Sequence, residues 1–166
     1  MLVVWVVYVI MEIERKYLVN ELPANFDAYP HVEIEQGYLC TSPTLRIRRM
    51  GDAYILTVKE KQRNISSAIV NREEEFTLTA DKFNLLKSKC DGRMVCKTRY
   101  RIPVGEYTAE LDIFHGDHEG LRLVEVEFPD TAAADRFTPP SWFGSDVSAD
   151  PRYRNSWLAN NELLKI

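Results

Sequence analysis

The chain has 166 residues, of which 45% are hydrophobic and 28% charged. These fractions are ordinary for one soluble globular domain and exclude a disordered, collagenous or coiled-coil protein. The formal net charge of −4 argues against a general nucleic-acid binder, because such proteins carry basic surfaces. The three cysteines are scattered and form no CxxC motif, so we expect a reducing, cytoplasmic setting and no disulfide framework.

The first ten residues read MLVVWVVYVI and carry no charge. A membrane span takes about 20 apolar residues, and a signal peptide has a basic start and a small-residue cleavage site, so neither interpretation fits. Two readings stay open: an additional strand, or an extension ahead of a second start at Met11. An ordered apolar strand here would favour a homodimer. We therefore expect a single domain over residues 11–166 and an extension over residues 1–10.

Short strand patterns separated by turn residues dominate the rest of the chain. The predicted strands span residues 12–19, 32–39, 44–50, 53–60, 70–78, 95–104, 107–114 and 121–128. Helices are predicted over residues 80–89, 131–137 and 152–164, and irregular loops at residues 139–140 and 145–151. This pattern predicts an α+β fold, with helices packed on the outside of a large antiparallel sheet or barrel.

Charged residues occupy one face of seven predicted strands, because successive strand side chains point to opposite faces. The acidic members are Glu12, Glu14, Glu73, Glu75, Glu110, Asp112, Glu125 and Glu127. The basic members are Lys16, Arg46, Arg48, Lys59, Lys97, Arg99 and Arg101. The opposite faces are apolar and are expected to pack beneath the helices.

Like charges this close together repel each other, so each cluster calls for a counter-ion or a ligand. Paired carboxylates suit Mg²⁺ or Mn²⁺, and clustered Lys and Arg suit phosphate oxygens. A metal zone beside a polyphosphate zone is typical of phosphoryl-transfer chemistry. The alternatives are a solvated charged face, which suits any single strand, and a barrel held by salt bridges without ions.

The order of these blocks resembles the CYTH proteins, also called triphosphate tunnel metalloenzymes. Residues 12–16 read EIERK and match the ExExK signature of that family. The other matching blocks are QGYL (36–39), LRIR (45–48), LTVK (56–59), EEE (73–75), KTRY (97–100), ELDIF (110–114), VEVEF (124–128), WFG (142–144) and RYRN (152–155). The family often has an arginine two residues before the acidic pair at 73 and 75, where this chain has Asn71.

The resemblance implies an eight-stranded antiparallel β-barrel, the triphosphate tunnel, with charged side chains inside it. The implied metal ligands for Mg²⁺ or Mn²⁺ are Glu12, Glu14, Asp112, Glu125 and Glu127. The implied substrate-binding residues are Lys16, Arg46, Arg48, Lys59, Lys97 and Arg99. Of these, Lys16 and Lys97 are the catalytic candidates, with Lys97 orienting or deprotonating the attacking water. Glu73, Glu75 and Glu110 would orient the cations from behind their ligands.

The function implied in this way is divalent-metal-dependent hydrolysis of inorganic triphosphate or a related small-molecule triphosphate. A class IV adenylate cyclase and a thiamine triphosphatase are the alternatives within the family, and a non-catalytic polyphosphate or nucleotide binder is the alternative outside catalysis. No nucleic-acid or membrane partner is expected.

Overall fold

The computed structural model describes residues 10–61 and 69–161. The elements in chain order are β1 (Ile10–Val19), β2 (His31–Thr41), β3 (Thr44–Met50), β4 (Ala53–Lys61), β5 (Ile69–Thr77), α1 (Ala80–Lys87), β6 (Asp91–Val104), β7 (Tyr107–His115), β8 (Arg122–Glu127), α2 (Thr131–Arg136), β9 (Phe143–Asp146) and α3 (Asn155–Leu158). Nearly all of the apolar N-terminal extension (residues 1–9) and the end of the predicted C-terminal helix (residues 162–166) lie outside the described residues. All eight predicted strands are confirmed.

The strands form one antiparallel sheet in the order β5-β4-β3-β2-β6-β7-β8-β1-β9, and β1 also pairs with β5. That additional pairing runs from Ile10 opposite Glu73 to Glu14 opposite Ile69. Strands β1 to β8 therefore wrap into a barrel-like sheet, which confirms the predicted architecture. Beyond Glu14, the edge of β1 that pairs with β5 pairs with β9 instead. The sequence predicted no strand here, and it predicted a loop from residue 145 onward.

The outer face of the sheet is apolar, as predicted. Strands β1, β6, β7 and β8 contribute buried side chains that pack with Ala133 and Ala134 of α2 and with Phe143 of β9. On the other side of the barrel, α1 is capped by the Thr79 hydroxyl and buries Phe83 against the Tyr54 ring. Burial of these outer faces fixes the strand register, and the register turns the charged faces inward.

One end of the inner face is apolar and is covered by the C-terminal segment. Val95, Phe114 and Leu123 have the same strand parity as the charged residues two positions away, so they point inward. They pack with Tyr153 and Leu158, which follow β9. Where a helix is predicted over residues 152–164, the described residues up to 161 form a 3-10 turn, Pro151–Tyr153, followed by the short α3. The charged cavity is therefore closed at this end.

Among the described residues, no helix combines the length and apolar character needed to cross a membrane.

Candidate active site

Strand register brings the predicted charged residues together on the inner face of the barrel. The cross-strand pairs include Glu14 with Glu127, Lys16 with Glu125, Glu110 with Glu125, Arg99 with Asp112, and Lys59 with Glu73. Lys16, Arg46, Lys97, Arg99, Asp112 and Glu125 are all buried. Charged groups this deep need partners or ligands, because burial removes their hydration.

Arg99 is the centre of an ion-pair network. Its Nε and Nη2 donate to the two oxygens of Asp112 at 2.7 Å each, and Nη2 also donates to Glu125 at 2.6 Å. Its Nη1 contacts Glu110. Burial alone would lower the pKa of Arg99, but Asp112 and Glu125 outweigh it and raise that pKa. Arg99 therefore stays charged and contacts three acids at once.

Lys97 is buried beside this network and is only weakly held as a cation. Its ammonium contacts Asp112, which is already occupied by Arg99, and it lies 5.4 Å from the centre of the Phe114 ring. Burial lowers the pKa of Lys97 to about 8, against the opposing effect of Asp112 and with a further contribution from Arg99. A lysine with such a pKa can exchange a proton near neutral pH.

Two other lysines are firmly charged. Lys16 donates to Glu125 at 2.8 Å, and Lys59 contacts Glu12 and lies 2.7 Å from Glu73. In both lysines burial works against the charged form, and the neighbouring carboxylates outweigh it and raise the pKa. Both side chains therefore carry fixed positive charge into the cavity.

Two acids on the inner face have no such partner. Glu14 and Glu127 lie opposite each other on β1 and β8, and neither makes a hydrogen bond or an ion pair with a described side chain. Burial, followed by repulsion from Glu125, raises the pKa of Glu14 to about 7. Glu127 is exposed, and partial desolvation together with repulsion from Glu110 and Glu14 raises its pKa. Neither carboxylate has a cationic group in direct contact among the described residues, and the more distant Lys59 and Lys16 offset the rise in the Glu14 pKa only in part.

Two guanidinium groups on β3 show the opposite deficit. Arg48 donates its Nε to the Gln36 side-chain oxygen at 3.2 Å and makes no ion pair with a described carboxylate. Burial, with Arg46 and Arg99 nearby, lowers the pKa of Arg48 to about 10. Arg46 donates to the Thr57 hydroxyl at 3.1 Å, and its buried Nε has no acceptor. Arg46 Nη2 also lies 3.9 Å from Glu73 and from Glu75, so the wall formed by Arg46 and Arg48 is only partly balanced by carboxylates and has donors to spare.

The two-zone interpretation of the sequence holds only in part. Acid-rich and base-rich strands lie next to each other in the barrel, and cross-strand ion pairs therefore engage six of the eight acids. Those acids are Glu12, Glu73, Glu75, Glu110, Asp112 and Glu125. No three acid, histidine or cysteine side chains within residues 10–61 and 69–161 converge as ready metal ligands. The parts that stay incompletely balanced are smaller than predicted: the Glu14–Glu127 pair, and the Arg46–Arg48 wall, where only Arg46 approaches carboxylates, at 3.9 Å.

The uncompensated acids fit a hard divalent cation. Carboxylate oxygens are the ligands that Mg²⁺ and Mn²⁺ prefer, and a cation there would relieve the repulsion that raises the pKa of Glu14. Glu12 and Glu125 lie on the same strands two residues away, although each is engaged by a lysine here.

Sequence reasoning assigned no role to two buried side chains beside the arginine wall. Gln36 is fully buried and bridges the wall, accepting from Arg48 and donating to the Tyr38 hydroxyl at 2.9 Å. Burial raises the pKa of Tyr38, against the opposing effect of Arg46 and Arg48. Strand alternation in the QGYL block already places Gln36 and Tyr38 on the same face. Because both side chains are neutral, the search for charged faces did not select them.

Comparison with known families decides the classification. The CYTH domain family matches residues 11–136 of the chain, which include β1 to β8 and α2. The chain belongs to the CYTH family. The CYTH match confirms the resemblance that the charged blocks suggested.

Two curated relatives are similar to this protein over most of its length. The inorganic triphosphatase of Nitrosomonas europaea is 42% identical over 155 residues, covering 89% of this chain and 96% of the relative. The inorganic triphosphatase of Acetivibrio thermocellus is 35% identical over 157 residues, covering 90% and 94%.

The fold agrees with solved structures of the same kind. A crystal structure of an inorganic triphosphatase superposes with a TM-score of 0.68 at 38% identity, covering 92% of this chain and 96% of that one. A putative adenylyl cyclase from Hippeastrum, described as having a dominant triphosphatase activity, superposes with a TM-score of 0.56. It is only 15% identical and covers 75% of this chain and 83% of that one, so it supports the fold alone.

Proposed function

We propose that this CYTH protein hydrolyses inorganic triphosphate to pyrophosphate and orthophosphate, with Mg²⁺ or Mn²⁺ bound at Glu14 and Glu127. The observation that carries the proposal is the pair of opposite charge deficits inside one closed-ended cavity. Glu14 and Glu127 make no ion pair with a described side chain, and in the same barrel Arg48 makes none either, while Arg46 only approaches Glu73 and Glu75 at 3.9 Å. A metal–triphosphate complex satisfies both deficits at once.

The arginine wall is the proposed grip on the phosphates. Arg46 and Arg48 have free donors in a forked geometry that matches phosphate oxygens. Lys16 and Lys59 add fixed positive charge, which would neutralise charge that develops on the phosphoryl oxygens during transfer. The Tyr38 hydroxyl, held by Gln36 beside the same wall, adds a neutral hydrogen-bond donor.

Metal ligation is proposed for Glu14 and Glu127, with Glu12, Glu125 and Asp112 able to join once their lysine or arginine partners turn to the phosphates. A divalent cation bound there would supply charge neutralisation and lower the pKa of a coordinated water. The proposed role of Glu73, Glu75 and Glu110 is to position the basic side chains. Glu73 and Glu110 hold Lys59 and Arg99, and Glu75 accepts from the Thr57 hydroxyl that also contacts Arg46.

Lys97 is the proposed acceptor of the proton from the attacking water. Burial and Arg99 keep its pKa near 8, so a useful fraction is neutral at mildly alkaline pH. Arg99 holds Asp112 through two hydrogen bonds, which leaves the Lys97 amine less firmly held as an ammonium. The balance of the step is simple: water loses a proton to the amine, its oxygen bonds to a terminal phosphorus, and pyrophosphate leaves.

The competing cyclase function requires contacts to the nucleoside. A cyclase must place a ribose hydroxyl in line with the α-phosphorus, and an aromatic pocket for adenine would be expected. Within the described part of the chain, the rings of the inner-face aromatic residues Tyr38 and Phe114 are buried by packing at the apolar end, and only the Tyr38 hydroxyl reaches toward the arginine wall. The charged cavity has phosphate-binding groups without such a pocket.

Product analysis separates these functions. Inorganic triphosphate and ATP are offered separately with Mg²⁺ and then Mn²⁺, and the products are identified by phosphorus NMR and nucleotide chromatography. We expect pyrophosphate and orthophosphate from triphosphate, with ATP a poor substrate. Cyclic AMP and pyrophosphate formed from ATP faster than triphosphate is hydrolysed would overturn the proposal.

A further inference from the structure

Strand β1 changes its neighbour in the middle of the active site. One edge of β1 pairs with β5 as far as Glu14, and the same edge pairs with β9 at Tyr17 and Val19. The intervening residues include Lys16, whose ammonium lies inside the cavity at 2.8 Å from Glu125. At this point neither β5 nor the body of β9 supplies a partner to the Lys16 backbone.

The turn after β9 fills that gap. Lys16 donates its backbone N–H to the Ser148 hydroxyl at 2.9 Å, and the Lys16 carbonyl accepts from the N–H of Val147 at 2.8 Å. Ser148 is buried, so its hydroxyl is shielded from competing water. At Lys16, the Ser148 side-chain hydroxyl thus replaces the hydrogen-bond partner that a neighbouring strand would supply.

A neighbouring carboxylate fixes the Ser148 hydroxyl. Ser148 donates its hydroxyl to Asp146 Oδ1 at 2.6 Å, and its backbone N–H donates to the same oxygen at 2.9 Å. The other Asp146 oxygen accepts from Arg15 Nε and Nη2 at 3.0 and 2.7 Å. The turn is therefore bound to β1 in two ways, by the Arg15 side chain through Asp146 and by the Lys16 backbone through Ser148.

The same C-terminal segment also contacts the far end of the lysine. The Lys16 ammonium donates to the Tyr153 carbonyl at 3.3 Å. Backbone and side chain of Lys16 are therefore both held by residues 147–153, and the position of the ammonium depends on where this segment holds β1.

We propose that Ser148 is a positioning residue for Lys16. Its hydroxyl anchors β1 where the strand leaves β5, and so keeps the Lys16 ammonium in its position inside the charged cavity. This inference rests on the proposed function. Without the hydroxyl, the buried Lys16 N–H has no acceptor, and β1 is free to shift by the fraction of an ångström that weakens a charged contact.

The test measures triphosphate affinity by titration calorimetry in EDTA, where no hydrolysis is needed. Ser148→Ala is compared with the wild type, with Ser148→Thr, and with the same change in a Lys16→Met background. Ser88→Ala is the matched control, because the Ser88 hydroxyl is exposed and bonds only the carbonyl of Leu85. Thermal unfolding of every variant is recorded in parallel.

We expect Ser148→Ala to weaken triphosphate binding about tenfold, which is the scale of one charge-assisted contact. Ser148→Thr keeps a hydroxyl and restores binding to within about threefold, and Ser88→Ala changes nothing. In the Lys16→Met background Ser148→Ala has no further effect on affinity, although it lowers the unfolding temperature by the same amount as in the wild-type background.

Two results would overturn the inference: unchanged affinity in Ser148→Ala, or an equal loss of affinity in both backgrounds. The second result would show that Ser148 supports the fold and not Lys16. Failure of the proposed function looks different, because a wild type that binds triphosphate but releases no orthophosphate with Mg²⁺ leaves the coupling between Ser148 and Lys16 intact.

Discussion

At Glu14 and Arg48, ionisable groups are buried without an oppositely charged group in contact among the described residues. Burial shifts both pKa values toward the neutral form, since the charged form loses its hydration. A protein that only needed stability would pair these groups or replace them with apolar ones. Their persistence on the inner face indicates ligands that bring the missing charges.

Arg48 gives the clearest prediction for the phosphate grip. Arg48→Ala removes a forked donor that has no carboxylate partner, so we expect KM for triphosphate to rise about tenfold to a hundredfold, with metal affinity unchanged. The matched control is Arg49→Ala, because Arg49 is the next residue on β3 and is exposed. Steady-state kinetics and calorimetric titration of metal into the free protein check this prediction. Loss of metal affinity in Arg48→Ala would contradict the separation of the two charge deficits.

Lys97 predicts the pH dependence of the reaction. The proposed base acts as the neutral amine, so kcat/KM should rise with pH through about 8 and level off above it. Lys97→Arg keeps the charge but cannot accept a proton in this range, and its activity should fall by roughly two powers of ten. A flat pH profile of the wild type between about pH 6.5 and 9.5, or near-normal activity in Lys97→Arg, would exclude Lys97 as the base.

At the scale of elements, the C-terminal segment closes one end of the barrel and also lies against Lys16. Leu158 of α3 is fully buried in the closed end, and its carbonyl lies 2.9 Å from His118 Nε2 in the turn between β7 and β8. Short as it is, α3 is held by tertiary packing, because so few residues form no stable helix alone.

Leu158→Ala tests how much that packing contributes. We expect a loss of about 2–5 kcal/mol in the free energy of unfolding, from lost burial and the cavity left behind. Leu85→Ala is the control, because Leu85 is 65% exposed and its removal should change stability by less than about 0.5 kcal/mol. Denaturant unfolding followed by circular dichroism measures both. Equal small losses in the two variants would mean that α3 is not part of the core.

The alternation of polar and apolar residues made most of the strands predictable. It could not predict features that depend on contacts between distant parts of the chain. Alternation placed Arg46, Arg48, Lys97 and Arg99 on one face because β-strand parity is strict. β9 was missed because Phe143–Asp146 is a short strand with little alternation, and its pairing with β1 is a long-range contact. The same limit hid Ser148 and Tyr153, whose contacts with Lys16 cross more than a hundred residues.

For the whole molecule, the net charge of −4 conceals seven basic side chains on the inner face of the barrel. The barrel sets acid-rich strands beside base-rich ones, so cross-strand pairing cancels most of the inner charge and leaves two small deficits. A bare triphosphate with its metal brings charge of both signs to these deficits. Net charge is therefore a poor guide to the substrate, and the local balance of charge on the inner face is a better one.

The most direct measurement is the initial rate of orthophosphate release from triphosphate as Mg²⁺ is varied, for the wild type, Glu14→Gln and the exposed control Glu21→Gln. The account predicts a rate that requires Mg²⁺, a fall of roughly two or more powers of ten in Glu14→Gln at limiting Mg²⁺, and no change in Glu21→Gln. Glu14→Gln should stay folded, because the raised pKa of Glu14 means that its charge opposes folding above about pH 7. Full activity of Glu14→Gln at limiting Mg²⁺, or wild-type hydrolysis that continues in EDTA, would contradict the account.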